Sequence, residues 1–219
     1  MGIRIDRLEF VSREDVDGGA VALHFRPRRP LDFRAGQHGL WHVPRGGITP
    51  FTIASAPEEE LVTLATSLES GSRTKRALAA LTPGSGVRLL GPLSGFTLDE
   101  SAPAVVMLAQ GLGITPFRSM LTHAGIAGVD VPATLVHVGT RHPYRGDTEV
   151  SAKQAFYPTS RTTFAEHVET VAGEQPDATF MVCGTRAFVS ATTGLLGAHG
   201  IDRSRIRRDA FYGWSGHQA

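Results

Sequence analysis

The chain has 219 residues, and its 22 lysines and arginines against 21 aspartates and glutamates leave a formal net charge of +1. This length allows one large domain or two small ones with real cores, and the near-neutral balance gives no global field for nucleic acid or an anionic membrane. The single cysteine, Cys183, excludes an internal disulfide and a cysteine-ligated iron–sulfur cluster, which needs several thiolates. A reducing cytoplasm is the expected compartment, for a soluble protein: no apolar run approaches the roughly 20 residues that span a bilayer, and MGIRIDRLEF lacks the apolar core of a signal peptide.

Residues 1 to about 99 carry short strand-like runs: VALHF, GLWHV, FTIAS, LVTLATSL and VRLLG. Breakers separate them at Gly18-Gly19, Pro27 to Pro30, Gly46-Gly47, Pro57, Pro83-Gly84 and Gly91-Pro92. That spacing predicts an antiparallel barrel or a sandwich. One helix interrupts it at SRTKRALAAL, where Ala77, Leu78 and Leu81 share a face. His38 and His42 also share a face at period two, but no third ligand accompanies them, so no metal is expected.

From Ala102 the pattern changes to apolar strands separated by helical stretches, which predicts βα units around a parallel sheet. APAVVMLAQ, PATLVHVGT, ATFMVCG and a weaker AFYPT are the strands. PFRSMLTHAG, TFAEHVETVAG and TRAFVSATTGLLGAHG are the helices, and HPYRGD reads as a loop. The seam lies near Leu98 to Pro103, and a cleft between two such domains is the default place for a site.

Within the first βα unit, Ala109 to Met120 reads AQGLGITPFRSM. Gly111 and Gly113 allow a bound group to approach the backbone closely. Pro116, with φ preset and no N–H, suits the first helical position, which puts Thr115 at the N-cap. A helix start of this kind offers N–H groups and a positive dipole end to a pyrophosphate. Glycine turns before helices also occur for packing alone, so both readings stay open.

GLGITPFRSM resembles the nicotinamide-binding motif of the ferredoxin–NADP reductase superfamily, and five further segments follow in family order. Thr49-Pro50-Phe51-Thr52 stands where that superfamily has its Arg-x-Tyr-Ser/Thr flavin motif. Gly71-Ser72-Arg73-Thr74 is similar to its flavin-phosphate turn, and Gly91 to Leu98 to its GPxGxF segment. Cys183-Gly184-Thr185 resembles the CGP motif with threonine for proline. Asp209-Ala210-Phe211 is similar to the C-terminal acidic-x-aromatic signature, with Gly213-Trp214 after it. The resemblance implies a two-domain, ferredoxin reductase-like protein. Its parts are an N-terminal antiparallel Greek-key β-barrel for FAD, rather than FMN, over residues 1–99, and a C-terminal α/β domain with a parallel sheet for NAD(P) over residues 100–219, ending in an aromatic tail.

The implied activity is hydride transfer from NADPH or NADH to the flavin, with electrons passed to an acceptor in trans: a ferredoxin, a flavodoxin, a monooxygenase or a quinone. Such transfer needs stacked rings in a dry setting and a dinucleotide held by its phosphates. The resemblance gives Thr52, Cys183 and Asp209 catalytic positions. It places Phe51 and Ile53 along the flavin, Gly71, Ser72, Arg73 and Thr74 at its phosphates, and Gly111, Gly113, Thr115 and Pro116 at the dinucleotide. Thr140, Arg141, Ser160 and Arg161 fall where a 2′-phosphate would be read, since arginine binds phosphate oxygens in two places. Cys183 and Gly184 would meet the nicotinamide, and Phe211 and Trp214 the isoalloxazine. Each has a plainer alternative: FTIAS as a buried strand, Ser72 as a helix cap, Cys183 as a core residue, Asp209 as a solvated carboxylate beside Arg207 and Arg208. Thr49 departs from the family arginine, and Arg45 and Arg73 are the nearby substitutes. A flavin reductase that releases its product and a nonredox binding module are the alternative functions.

Overall fold

The computed structural model describes residues 4–17 and 19–211, and its first strand already shows the physics of the N-terminal unit. Along β1 (Ile5–Asp15), Asp6, Leu8 and Phe10 are buried while Ile5, Arg7 and Glu9 face solvent, the period-two signature of a sheet with one wet face. β2 (Ala20–Pro27), β3 (His38–Val43), β4 (Gly47–Thr52), β5 (Val62–Ser67) and β6 (Gly86–Leu93) complete the unit with helix α1 (Arg73–Ala79). The strands pair antiparallel in the order β4-β3-β6-β1-β2-β5, and the Ala54 N–H donates to the Thr63 carbonyl at 2.8 Å, drawing the two ends of the curled sheet together. Inside, the Phe25 ring lies 5.6 Å from Phe10 and 5.3 Å from Trp41. The Trp41 indole N–H is satisfied by the Phe51 carbonyl at 3.2 Å, so its large apolar ring is buried without an orphaned donor.

The second unit reads differently because its strands are covered on both faces. β7 (Val105–Gln110), β8 (Ala133–Val138), β9 (Gln154–Phe156), β10 (Thr179–Thr185) and β11 (Ile206–Phe211) form a parallel sheet in the order β11-β10-β7-β8-β9. All six residues of β8 are buried, as are the first five of β7, the continuous apolar run that such sheets require. Helix α4 (Arg161–Glu174) brings Phe164 and Val168, and α5 (Arg186–Ala198) brings Val189 and Leu196, onto Val106, Leu108, Val136, Phe180 and Val182. Three helix starts are capped by side chains: Ser72, Ser160 and Thr185 accept from the backbone N–H three residues on.

Helix α2 (Thr115–Ala127) follows β7 in sequence yet packs with the barrel residues, so the first unit comprises the described residues through Leu98 and Thr115–Val129. The second comprises Asp99–Ile114 and the described residues from Asp130 onward. The α2 contacts are polar and specific. Ser119 Oγ donates to the Ser55 carbonyl at 2.6 Å and accepts from the Gly36 N–H at 3.2 Å, while Arg118 donates to Glu59 Oε1 at 2.9 Å and to the Ala54 carbonyl at 3.2 Å.

Several expectations from sequence are revised locally. The run FTIAS divides, with β4 ending at Thr52 and Ile53 donating its N–H to the Gln37 carbonyl at 2.9 Å. HPYRGD is not wholly loop, because α3 (Arg145–Ser151) begins at its arginine, after Tyr144 at φ 59°. Nor is Thr115 an N-cap: a 3₁₀ turn over Gly111–Ile114 opens the helical path before it. Gly111, at φ +51°, permits that early turn. No helix among the described residues is long and apolar enough to cross a membrane.

Candidate functional site

In the barrel unit, the candidate residues gather where the β3–β4 hairpin meets α1. Gly46 fits because a Cβ there would stand 2.9 Å from the Ala77 Cβ and 3.2 Å from the Thr74 Cα. Thr74 is buried; its hydroxyl donates to the Gly46 carbonyl at 2.9 Å and meets the Thr49 hydroxyl at 2.9 Å. Arg73 turns its Nε–H to the Arg45 carbonyl at 2.8 Å, and Arg76 donates to the Gly71 carbonyl. Thr49, at the family arginine position, is thus closed onto α1 by hydroxyl contacts. Farther along β4, Phe51 packs against the barrel core, Thr52 is 8% exposed opposite His38, and Ile53 is fully buried. Gly71 sits at φ +56° with nothing within 4 Å of a Cβ position, so its backbone stands uncovered on that side.

In the parallel-sheet unit, the candidates cluster at the carboxyl ends of the strands, the usual location of ligand sites in open α/β sheets. Gly113 is required by packing: a Cβ there would lie 2.2 Å from the Cys183 carbonyl oxygen and 3.0 Å from the Gly184 Cα. Gly111 is required by conformation, with φ +51° and nothing within 4 Å of a Cβ position. On β10, Cys183 is fully buried between Ala109 of β7 and Asp209 of β11 in register. Burial first, and the Asp209 carboxylate second, push its thiol well above the ordinary cysteine range. The group therefore stays a protonated thiol at neutral pH, an apolar wall with a weak donor and no nucleophile. Thr185, in the proline position of the family motif, caps α5 and donates to Gln110 Oε1 at 2.8 Å, bridging the ends of β10 and β7.

Thr140 and Arg141 lie exposed after β8, and Ser160 and Arg161 open α4. The Gly139 N–H donates to the Pro158 carbonyl at 3.2 Å, so these two loops run side by side. Pro116 is buried in α2, and Phe211, half-buried, pairs in register with Thr185. Trp214 lies outside the described residues. Among the described residues, no group of three or more histidines, cysteines and acids could hold a metal.

One further cluster was not legible in the sequence. His137 of β8 is fully buried, with Nε2 at 2.9 Å from the Gly111 carbonyl. The His142 ring packs edge-on at 5.1 Å and the Tyr157 ring at 6.3 Å. Tyr157 is itself fixed by Thr148 Oγ1 at 3.0 Å and lies under the Arg145 guanidinium at 4.6 Å. Burial, then the neighbouring His142, pushes the His137 pKa down to about 3 against the opposing pull of the Gly111 hydrogen bond. A lone polar residue in the run LVHV was the available signal.

No family model matches the chain. Among known proteins, it is 37% identical over 101 residues to ferredoxin–NADP reductase B of Sorangium cellulosum, covering 44% of this chain and 41% of that one. It is 32% identical over 114 residues to the phthalate 4,5-dioxygenase oxygenase reductase subunit of Pseudomonas putida, covering 51% and 35%. The chain spans about a third of the length of the first curated relatives it matches. Its fold superposes on a ferredoxin NADP+ reductase from Neisseria gonorrhoeae with bound FAD and NADP, with TM-score 0.75 and 17% identity over 94% of this chain and 98% of that one. The antiparallel barrel sheet and the five-stranded parallel sheet give the chain the two-domain, ferredoxin reductase-like fold of these structures, and the relatives it resembles are ferredoxin–NADP reductase-like oxidoreductases.

Proposed function

We propose that the chain is an NAD(P)H-dependent flavoprotein reductase, with FAD held by residues of 1–99, the dinucleotide by residues of 100–219, and electrons leaving to an external acceptor. The observation that carries this reading is the glycine turn at the end of β7. There an uncovered backbone at Gly111 stands beside strand ends that bring Cys183, Gly184, Thr185 and Asp209 together. Bound flavin supplies two-electron acceptance and stepwise release. Phe51, Thr52 and Ile53 would line it, the buried Thr52 hydroxyl serving as a hydrogen-bond partner, and Gly71 to Thr74 would receive its phosphates. Gly111, Gly113, Thr115 and Pro116 would orient the dinucleotide. The protonated Cys183 thiol would exclude water beside the nicotinamide, and Asp209 would hold charge near it. Exposed Arg141 and Arg161, with Ser160, favour NADPH over NADH.

The named phthalate dioxygenase relative favours an oxygenase component as acceptor over a ferredoxin, a flavodoxin or a quinone. On the outer barrel face Arg7 pairs across strands with Arg88, and Arg88 with His42, around a cavity of about 340 Å³ also lined by Arg28. Like charges directly opposite are unfavourable, and an acidic acceptor surface would relieve them. The cytoplasm, where the lone thiol stays reduced, is the proposed compartment.

A second reading has its own support: Thr49 brings a hydroxyl closed on Thr74 where the family has a cation, which favours a reductase that releases reduced flavin. Thermal melts with FAD and FMN, followed by NADPH turnover at rising free flavin, test both. A flavin-dependent rise in melting temperature with turnover independent of added flavin supports the bound-cofactor reading. Turnover that climbs with free flavin supports release, and no response to any flavin removes both.

A further inference from the structure

We propose that His137 is the positioning residue of the glycine turn, setting the peptide that meets the pyrophosphate of a nicotinamide dinucleotide; the inference rests on the reading just given. A carbonyl accepts, so the 2.9 Å contact from Nε2 to the Gly111 oxygen places the imidazole proton on Nε2 and leaves Nδ1 bare. Nδ1 is buried and has no hydrogen-bond partner. A buried, half-satisfied imidazole is a poor choice for a parallel-sheet core, where Val136 and Val138 on either side of it in the same strand are apolar and buried. Packing therefore does not account for the residue, whereas its bond to the turn does.

The consequence follows from peptide planarity. In a trans peptide the Gly111 C=O and the Leu112 N–H point in opposite directions, so anchoring the carbonyl to β8 aims that N–H away from His137. Glycine adopts φ of either sign with similar ease, and a turn that relies on Gly111 at φ +51° would otherwise be free to rotate this peptide. His142 and Tyr157 close edge-on around the ring at 5.1 and 6.3 Å and fix its orientation. Because burial keeps the imidazole neutral down to about pH 3, the tie persists across the whole physiological range.

The test compares His137→Phe, which keeps an aromatic ring and removes the donor, with His137→Gln, whose side-chain amide replaces it. Binding of NADPH and of NADH is titrated calorimetrically on flavin-loaded protein, with flavin affinity measured separately. The expected result is a loss of about tenfold in dinucleotide affinity for the phenylalanine variant, the worth of one hydrogen bond, with glutamine within about threefold of the parent and flavin affinity unchanged in both. Equal binding by parent and His137→Phe overturns the inference alone, and equal tenfold losses in both variants overturn it in favour of ring volume. Parent protein that binds flavin but neither dinucleotide overturns the functional reading and this inference with it. Should His137→Phe fail to fold, nitrogen NMR of the parent decides: a proton on Nε2 is expected, and a proton on Nδ1 contradicts the hydrogen bond.

Discussion

The barrel unit ties its candidate side chains into the scaffold, while the parallel-sheet unit puts side chains behind a turn and leaves backbone in front. Around α1, Thr49 and Thr74 satisfy each other and Arg73 is spent on the Arg45 carbonyl. At the end of β7, His137 and the Cys183–Gly184 backbone support the turn from within, and Gly111 has open space where a side chain would be. An alternating antiparallel strand can present at most every second residue to a ligand. A parallel strand delivers all its end groups to one edge of the sheet. The two halves should therefore respond differently to substitution.

The largest expected effect is at Gly113. A Cβ placed 2.2 Å from a carbonyl oxygen cannot be relieved by rotating a side chain, so Gly113→Ala should cost about 3 kcal/mol or more, measured by denaturant unfolding. Acid comes next. The His137 pKa is lowered from 6.5 to about 3, so the unfolded chain binds the proton first. Its contribution to stability is present above pH 6.5 and is lost as pH falls toward 3, at about 1.4 kcal/mol per pH unit. Melts between pH 7 and pH 4 should show that decline, and His137→Gln should flatten it.

Gly111→Ala meets no atom but is held at φ +51°, so a loss of about 1 kcal/mol from backbone strain is expected, together with weaker dinucleotide binding. If Gly111→Ala proved as damaging as Gly113→Ala, the contrast between conformation and packing would fail. Smallest is Thr49→Val, which removes one hydroxyl pair and should cost about 1 kcal/mol or less. Thr49→Arg sharpens the same point, since a restored guanidinium should tighten flavin binding. Cys183, fully buried and protonated, should resist a thiol reagent in native protein and react only on unfolding.

Much of this fold was legible because its two halves obey different periodicities: VVML and ATFMVCG read as doubly covered strands, VALHF and GLWHV as short strands between breakers. β11 was hidden by its composition. IRRDAF buries only Ile206 at the sheet edge, and its adjacent arginines look like a solvated tail. α3 was obscured because RGDTEVS buries a single threonine and presents no apolar stripe. Near the candidate site, the helix cap at Ser72 was legible in the sequence, whereas the cap read at Thr115 was not formed, because the 3₁₀ turn before it already carries the helical path. The His137–Gly111 bond was not legible, because it joins residues 26 apart through pairing of β7 with β8. Likewise, the closure of Thr49 onto Thr74 spans 25 residues and depends on where α1 docks.

The central claim is tested most directly by adding NADPH, and separately NADH, to FAD-loaded protein without oxygen while following the visible flavin band. The band should bleach in one step on addition of the dinucleotide and return when an electron acceptor is supplied. A flavin band that stays unchanged with both dinucleotides, in protein that demonstrably holds flavin, would contradict it.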